Sequence, residues 1–368
     1  MKKNKSYTLS IFVFILTAVI VFGRHYILSI IVGESDSSEF VISSVFDFDS
    51  KENNMNNLDN IYSDGDYFFV NDGGDFKARD MEGKVVWKDS FGENICMDSN
   101  EKNMVIANKK NGDIFIFTRE GKQLASAIGT GKLEKVKILS DDRVLSLSSD
   151  SSTINIFSDF FKDRKKILIG SGSIVKFDVS ESKNELSVLA IDSINGVSTS
   201  AVYKYSLDST FLNAKVFESV LLQIYYWKDS TILVTPSFIE IVDSDYNLNA
   251  STEMIGNIVT VSKQGDYIYA ITEEVIDDKV HSYKLVSYSL FSKKVEITSF
   301  IEQKYDNIYR NGDYIVLSNA KVIEIRDSNG DLVYTKDLDF PVKKIHIFDN
   351  GYILASNGKQ LSVLKIKK

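Results

Sequence analysis

The sequence predicts an all-β fold, a β-propeller of eight blades, preceded by one transmembrane α-helix. Three observations predict it. An uncharged apolar run with lysines before it opens the chain, a four-strand unit recurs from there to the C-terminus, and a spare strand stands ahead of the first unit.

At the N-terminus, Lys2, Lys3 and Lys5 precede residues 7–23, which carry no charge. As a helix those residues span ~26 Å, near the lower limit for a hydrocarbon core of roughly 30 Å. Arg24 interrupts, but its long side chain snorkels to the interface, and residues 26–33 continue apolar. Three lysines against one arginine put the N-terminus in the cytoplasm and the body outside. A cleaved signal peptide competes, with Val21-Phe22-Gly23 as a small-x-small site; the run is longer than a usual signal core, which favours an anchor. The expected organisation is a cytoplasmic tip (1–6), a signal-anchor helix (7–33), a polar tether (34–39) and an extracytoplasmic propeller (40–368).

Beyond the tether the chain repeats itself. Asp59-Asn60-Ile61-Tyr62-Ser63-Asp64-Gly65-Asp66-Tyr67 returns 247 residues later as Asp306-Asn307-Ile308-Tyr309-Arg310-Asn311-Gly312-Asp313-Tyr314. The register holds without a gap, so that Arg79-Asp80-Met81-Glu82-Gly83 falls on Arg326-Asp327-Ser328-Asn329-Gly330 and Trp87 on Tyr334. Each unit reads as a first strand, a tight Asp/Asn-Gly turn, a second strand, an alternating third strand ending in Asp-x-x-Gly, and a fourth strand. Four antiparallel strands in about 40 residues make one propeller blade.

First strands recur around Ile61, Ile95, Val136, Val175, Gln223, Val259, Ile308 and Ile345, giving eight units; seven is the alternative if one divergent unit is misread. The turn between third and fourth strands recurs as Arg119-Glu120-Gly121-Lys122 and Asp243-Ser244-Asp245-Tyr246. The last unit, 342–368, supplies only three strands. Residues 40–48 alternate as a strand and supply the fourth, which closes the ring and removes its free edges.

Composition narrows the partners. The chain has 51 Asp plus Glu against 43 Lys plus Arg, a net charge of −8. That balance argues against nucleic acid and against anionic lipid as the main surface partner. A single cysteine, Cys96, excludes an internal disulfide and reads as a buried structural thiol.

The stretch Arg79-Asp80-Met81-Glu82-Gly83-Lys84-Val85-Val86-Trp87 resembles the repeat of quinoprotein-type (PQQ-like) propellers, in which an apolar strand ends in Asp, a Gly turn comes after it and a Trp packs between blades. More broadly the chain is similar to membrane-anchored β-propellers of Gram-positive bacteria with PQQ-like and WD40-like repeats. The resemblance implies the fold. Quinoprotein dehydrogenases also bring a metal-bound redox cofactor and often an adjacent-cysteine disulfide, which Cys96 alone cannot form, so no cofactor is expected.

The chemistry-bearing residues are few. His25, His281 and His346 are the only histidines, and the last two sit in strand alternation with no carboxylate at ligand spacing. No H-E-x-x-H, G-x-S-x-G, C-x-x-C or phosphate loop occurs, and the sialidase-type Ser-x-Asp-x-Gly-x-x-Trp turn is absent. Asp243-Ser244-Asp245-Tyr246-Asn247-Leu248-Asn249 alternates oxygen ligands as calcium loops do, but lacks the central Gly and the closing Glu; turn chemistry accounts for it. No catalytic or metal residues are assigned. Tyr225, Tyr226 and Trp227 are the candidate partner-binding residues, with packing between blades as the competing role. The functional expectation is a non-enzymatic interaction or ligand-binding module at the cell envelope, held by 7–33 and meeting an envelope protein or wall glycan. The alternative is a divergent propeller enzyme, quinoprotein-like or glycan-cleaving.

Overall fold

The computed structural model describes residues 41–49, 60–194, 196–277, 280–338, 342–347, 352–357 and 359–367. The expected tip, anchor helix and tether lie outside these residues. Among the described residues no helix is long and apolar enough to cross a membrane.

A single strand, β1 (Val41–Asp49), precedes the repeats. Blade 1 is β2 (Ile61–Ser63), β3 (Tyr67–Asp72), β4 (Asp75–Asp80) and β5 (Val85–Ser90). Blade 2 is β6 (Ile95–Ser99), β7 (Asn103–Asn108), β8 (Ile114–Thr118) and β9 (Gln123–Ala127). Blade 3 is β10 (Leu133–Ile138), β11 (Val144–Ser148), β12 (Thr153–Ser158) and β13 (Asp163–Leu168). Blade 4 is β14 (Ser173–Ser180), β15 (Glu185–Ile194), β16 (Val197–Ser206) and β17 (Phe211–Phe217). Blade 5 is β18 (Gln223–Trp227), β19 (Ser230–Val234), β20 (Phe238–Val242) and β21 (Leu248–Glu253). Blade 6 is β22 (Asn257–Gln264), β23 (Tyr267–Asp277), β24 (Val280–Ser289) and β25 (Lys294–Ile301). Blade 7 is β26 (Asn307–Asn311), β27 (Tyr314–Ser318), β28 (Val322–Arg326) and β29 (Leu332–Asp337). The last sheet holds β30 (Lys344–Ile347), β31 (Tyr352–Ser356) and β32 (Gln360–Lys367), and its order is β1-β32-β31-β30. The eight-blade count and the closing strand expected at 40–48 are therefore both borne out, the strand running from Val41 to Asp49.

Burial follows strand position. Second strands are covered on both faces and read as near-continuous apolar runs, as in β7 (Asn-Met-Val-Ile-Ala-Asn), and some third strands are likewise buried throughout, as in β12 (Thr-Ile-Asn-Ile-Phe-Ser). Fourth strands form the rim; β13 (Asp-Arg-Lys-Lys-Ile-Leu) carries charges that discourage edge pairing. The core lies between blades. Phe69, Phe76 and Ala78 of blade 1 pack with Ile95, Met104, Ile106 and Phe117 of blade 2, and Leu189 and Val202 of blade 4 with Ile224, Leu233 and Tyr246 of blade 5.

Neighbouring blades are also latched by backbone. The Ile174 amide donates to Ser151 O at 2.7 Å, Ile258 to Pro236 O at 2.6 Å and Val342 to Ala320 O at 2.8 Å. Each bond joins the turn between second and third strands of one blade to the entry of the next. Those turns and the interblade connections thus share one face of the ring; the other two hairpin turns of each blade occupy the opposite face.

Trp87 does what the resemblance implied. Its Nε1 donates to Arg119 O at 2.9 Å and its ring stacks on Phe117 at 5.4 Å, across the blade 1–blade 2 boundary. The turn it meets needs glycine: Gly121 has φ +89°, and a Cβ there would stand 2.5 Å from the indole.

Candidate functional site

Two features break the regularity of the ring. The first lies on the channel. Three first strands carry a register shift at the same height, between Leu133 and Lys135, Ile174 and Lys176, and Ile258 and Thr260. A bulge inserts one residue and re-aims the side chains beside it. Here the inserted residues are Glu134, Val175 and Val259. The first two, with Lys135, Lys176 and Phe177, line a cavity of 360 Å³ whose far wall is Tyr62, Cys96 and Met97. Lys135 Nζ lies 5.7 Å from the Phe177 ring centroid, and Glu134 is paired with Lys109 at 3.0 Å.

Below it, hydrogen bonds tie the first strands of blades 1, 2 and 3. Tyr62 Oη donates to Asp98 Oδ1 (3.3 Å) and accepts from the Ser99 amide (3.0 Å), while Asp98 Oδ2 accepts from the Ile138 amide (2.9 Å). Burial, with the Asp98 charge beside it, pushes the Tyr62 phenol up. Burial likewise raises the Asp98 carboxyl, partly offset by the Ile138 amide and by Lys137. Cys96, 5% exposed, is the buried thiol expected.

The second feature is on the face that carries the interblade connections. In blade 4, β14 begins opposite Ile191 and β17 ends opposite Ser200, so residues 192–194 and 196–199 run on past their neighbours. In blade 6, β22 begins opposite Glu273 and β25 ends opposite Tyr283, so residues 274–277 and 280–282 do the same. Blade 5 stands between them and turns flush through Thr235, Pro236 and Ser237. Two raised hairpins therefore flank a low blade. Their exposed side chains include the apolar Val197, Val275 (60%) and Ile276 (68%), beside Ser193, Ser198 and His281. On the side of blade 6 facing blade 7, Glu273 Oε1 accepts from Tyr283 Oη at 2.9 Å and lies 2.7 Å from His281 Nδ1. The Tyr283 hydrogen bond leads in holding the Glu273 carboxyl below its ordinary range. His281 thus has a carboxylate partner that spacing along the sequence did not reveal, because Glu273 is brought to it across the hairpin.

The candidate aromatic residues fall on both sides of β18. Tyr226 is buried toward blade 4, accepting from Ser187 Oγ at 2.8 Å, and its amide donates to Asp178 Oδ2 at 2.8 Å. Tyr225 and Trp227 alternate to the other side and pack, half-buried, against the blade 5–blade 6 cluster. Burial pushes the Tyr225 phenol to about 12. Trp227 Nε1 donates to Asp266 Oδ1 at 2.7 Å, and Lys228 Nζ covers the Phe291 ring at 3.7 Å. The three residues thus hold blade 5 to its two neighbours rather than sharing one surface.

The acidic turns are locally satisfied. Asp243 Oδ1 accepts from the amides of Asp245 and Asn247, both at 2.8 Å, and Asp327 Oδ1 repeats the pattern with Asn329 and Asp331. His346 is exposed and borders a 230 Å³ recess with Tyr309 and Ser99. Among the described residues no group of three or more His, Cys, Asp or Glu side chains converges on a metal position. The one carboxylate on the channel cavity, Glu134, is held by Lys109, and Cys96 has no second cysteine to pair with. This donor set does not fit a metal-bound quinone.

Fold and surface together define an all-β eight-bladed propeller closed by its N-terminal strand. The chain belongs to the family of unknown function DUF5711, whose model matches residues 44–365. Among curated proteins, none matches the sequence. Among solved structures the fold is similar to BamB from Moraxella catarrhalis, at 10% identity and a TM-score of 0.60, over 88% of this chain and 100% of that one. It is similar to Sqt1 from Saccharomyces cerevisiae, at 8% identity and a TM-score of 0.63, over 88% and 99%. It is also similar to the quinohemoprotein alcohol dehydrogenase ADHIIG from Pseudomonas putida HK5, at 8% identity and a TM-score of 0.56, over 89% and 76%. At such identities the likeness is one of fold.

Proposed function

We propose that the chain is a membrane-tethered, extracytoplasmic propeller that works as a non-enzymatic protein-interaction module at the cell envelope. The observation that carries the reading is the pair of raised hairpins, residues 192–194 with 196–199 and 274–277 with 280–282, on one face of the ring. Solvated hairpin extensions contribute little to a core, and exposed apolar tips beyond it are a cost that a partner surface relieves. The tether rests on Lys2, Lys3 and Lys5 before the uncharged run 7–23. The fold neighbours include a quinohemoprotein alcohol dehydrogenase, so the fold does not discriminate between the roles; the raised face supports the interaction reading.

The test is photo-crosslinking in intact cells from a residue introduced at Ile255, on the raised face, against one at Glu120, on the opposite face. Discrete protein adducts from position 255 and none from 120 are expected. Equal adducts from both, or none, contradict the reading. Protease added to intact cells digests residues 40–368 if the body is outside; protection until lysis contradicts the tether. A second reading, a propeller enzyme, rests on the 360 Å³ channel cavity. Cofactor absorbance in the purified chain, or turnover of a glycan library abolished by Lys176→Ala, would favour it.

A further inference from the structure

The raised face has a charge and a shape that narrow its partner, on the reading that it is a docking surface. Strand alternation fixes which side chains look across blade 5. In blade 6, Ala270 and Val286 pack toward blade 5, so Glu274, Lys284 and Phe300 continue on that side. Phe300 is 72% exposed. Lys284 is bound to Glu274 at 2.7 Å and lies over the Phe300 ring at 5.3 Å, so its charge is already answered. In blade 4, Leu189 and Val202 face blade 5, so Ser193 and Ser198 continue toward it, a small and uncharged wall. The floor is the top of blade 5, where Phe238 and Ile255 are exposed. Glu218, the residue after β17, and Glu253, the last residue of β21, are both exposed on this face.

The result is a saddle with an apolar floor, one small-residue wall and one aromatic wall, rimmed by carboxylates. Among Glu218, Glu253, Glu274 and Lys284 the balance is negative, and Glu274 alone is matched by the lysine. Its width follows from sheet packing. Sheets pack about 10 Å apart, so hairpins separated by one blade stand roughly 20 Å apart, and side chains from the two walls leave about 10 Å. That is the diameter of one α-helix with its side chains. We propose that the saddle seats a single basic amphipathic helix of a partner protein, its apolar stripe on Phe238, Ile255 and Phe300 and its Lys or Arg side chains at Glu218 and Glu253. Helix-in-groove recognition with charge complementarity at the rim has this form. A base-poor or acidic partner meets like charge at the rim and is rejected.

The test uses the full chain and two synthetic probes, a Leu–Lys amphipathic helical peptide and its Leu–Glu counterpart. The Leu–Lys peptide is expected to bind with an affinity that falls as salt rises. Glu218→Lys together with Glu253→Lys weakens it roughly tenfold or more, while Glu120→Lys on the opposite face leaves it unchanged. Phe300→Ser weakens it independently of salt. Melting temperature within a few degrees of the parent confirms that each variant folds. Equal binding of both peptides, indifference to the Glu218 and Glu253 reversals, or self-association of the chain through Ile255 overturns the proposal. The interaction reading fails separately: cellular adducts at position 255 whose contacting segment is acidic sink only the basic helix, whereas no adducts at 255 sink the docking face itself.

Discussion

Blades 1 and 6 are made from the same four-strand unit, yet they differ where their second strand turns into the third. In blade 1, β3 and β4 meet through Gly73 and Gly74, both at positive φ, and the blade ends flush with its neighbours. Its aromatic side chains go inward: Trp87 is held by Phe76, Phe117 and Arg119 O. In blade 6 the corresponding strands continue through Val275 and Ile276 into solvent. Departures from the repeat, rather than the repeat itself, therefore mark the proposed partner surface. The repeat builds a ring, and the two hairpins that outgrow it build a place on the ring.

Substitutions at either end of this contrast probe it. The largest stability effect is expected at the flush end. Trp87→Ala removes a large side chain from a blade boundary and is expected to cost about 3–5 kcal/mol, read from urea unfolding. A smaller effect of under about 1 kcal/mol would mean that the boundary is not the core. Gly121→Ala forces a Cβ into the indole in a left-handed backbone and should cost roughly 2 kcal/mol. Gly265→Ala, at φ +57° with nothing within 4 Å of its Cβ, should cost less than Gly121→Ala by the clash alone.

Asp98 gives a pH signature. Burial raises its carboxyl in the folded chain, so the folded state binds a proton more readily than the unfolded state. Stability therefore rises, through this group, as pH falls from above the raised value toward the ordinary carboxylate range. The gain should be missing in Asp98→Asn. Urea midpoints at pH 7.5 and 5.0 for both chains check this, and identical pH dependence in the two would contradict it. At the raised end, replacing 274–282 by a flush turn should change the melting temperature by only a few degrees, because the tip buries little.

The ring was legible in the sequence because turn chemistry is local. Gly83 and Gly330 mark equivalent turns, at φ +89° and +85°, and Asp80 and Asp327 cap them. The closing strand was legible because 342–368 left a blade one strand short. The raised hairpins were not. Alternation in 185–206 and 267–289 announces strands, but how far they outrun β14, β17, β22 and β25 depends on where four other strands stop. The Glu273–His281 pair was hidden for the same reason, since it needs the hairpin register. The bulge at Glu134, which turns side chains toward the channel, has no local marker. Tyr225, Tyr226 and Trp227 stood out by composition, and only strand alternation across β18 reveals that they hold two different boundaries.

If the hairpins of blades 4 and 6 form the partner surface, removing them must remove the partner. The decisive measurement is crosslinking from position 255 in cells carrying the native chain or one with both hairpins trimmed to flush turns. The adducts are expected to vanish in the trimmed chain while its melting transition is kept. Unchanged adducts in a folded, trimmed chain would place the partner surface elsewhere on the ring.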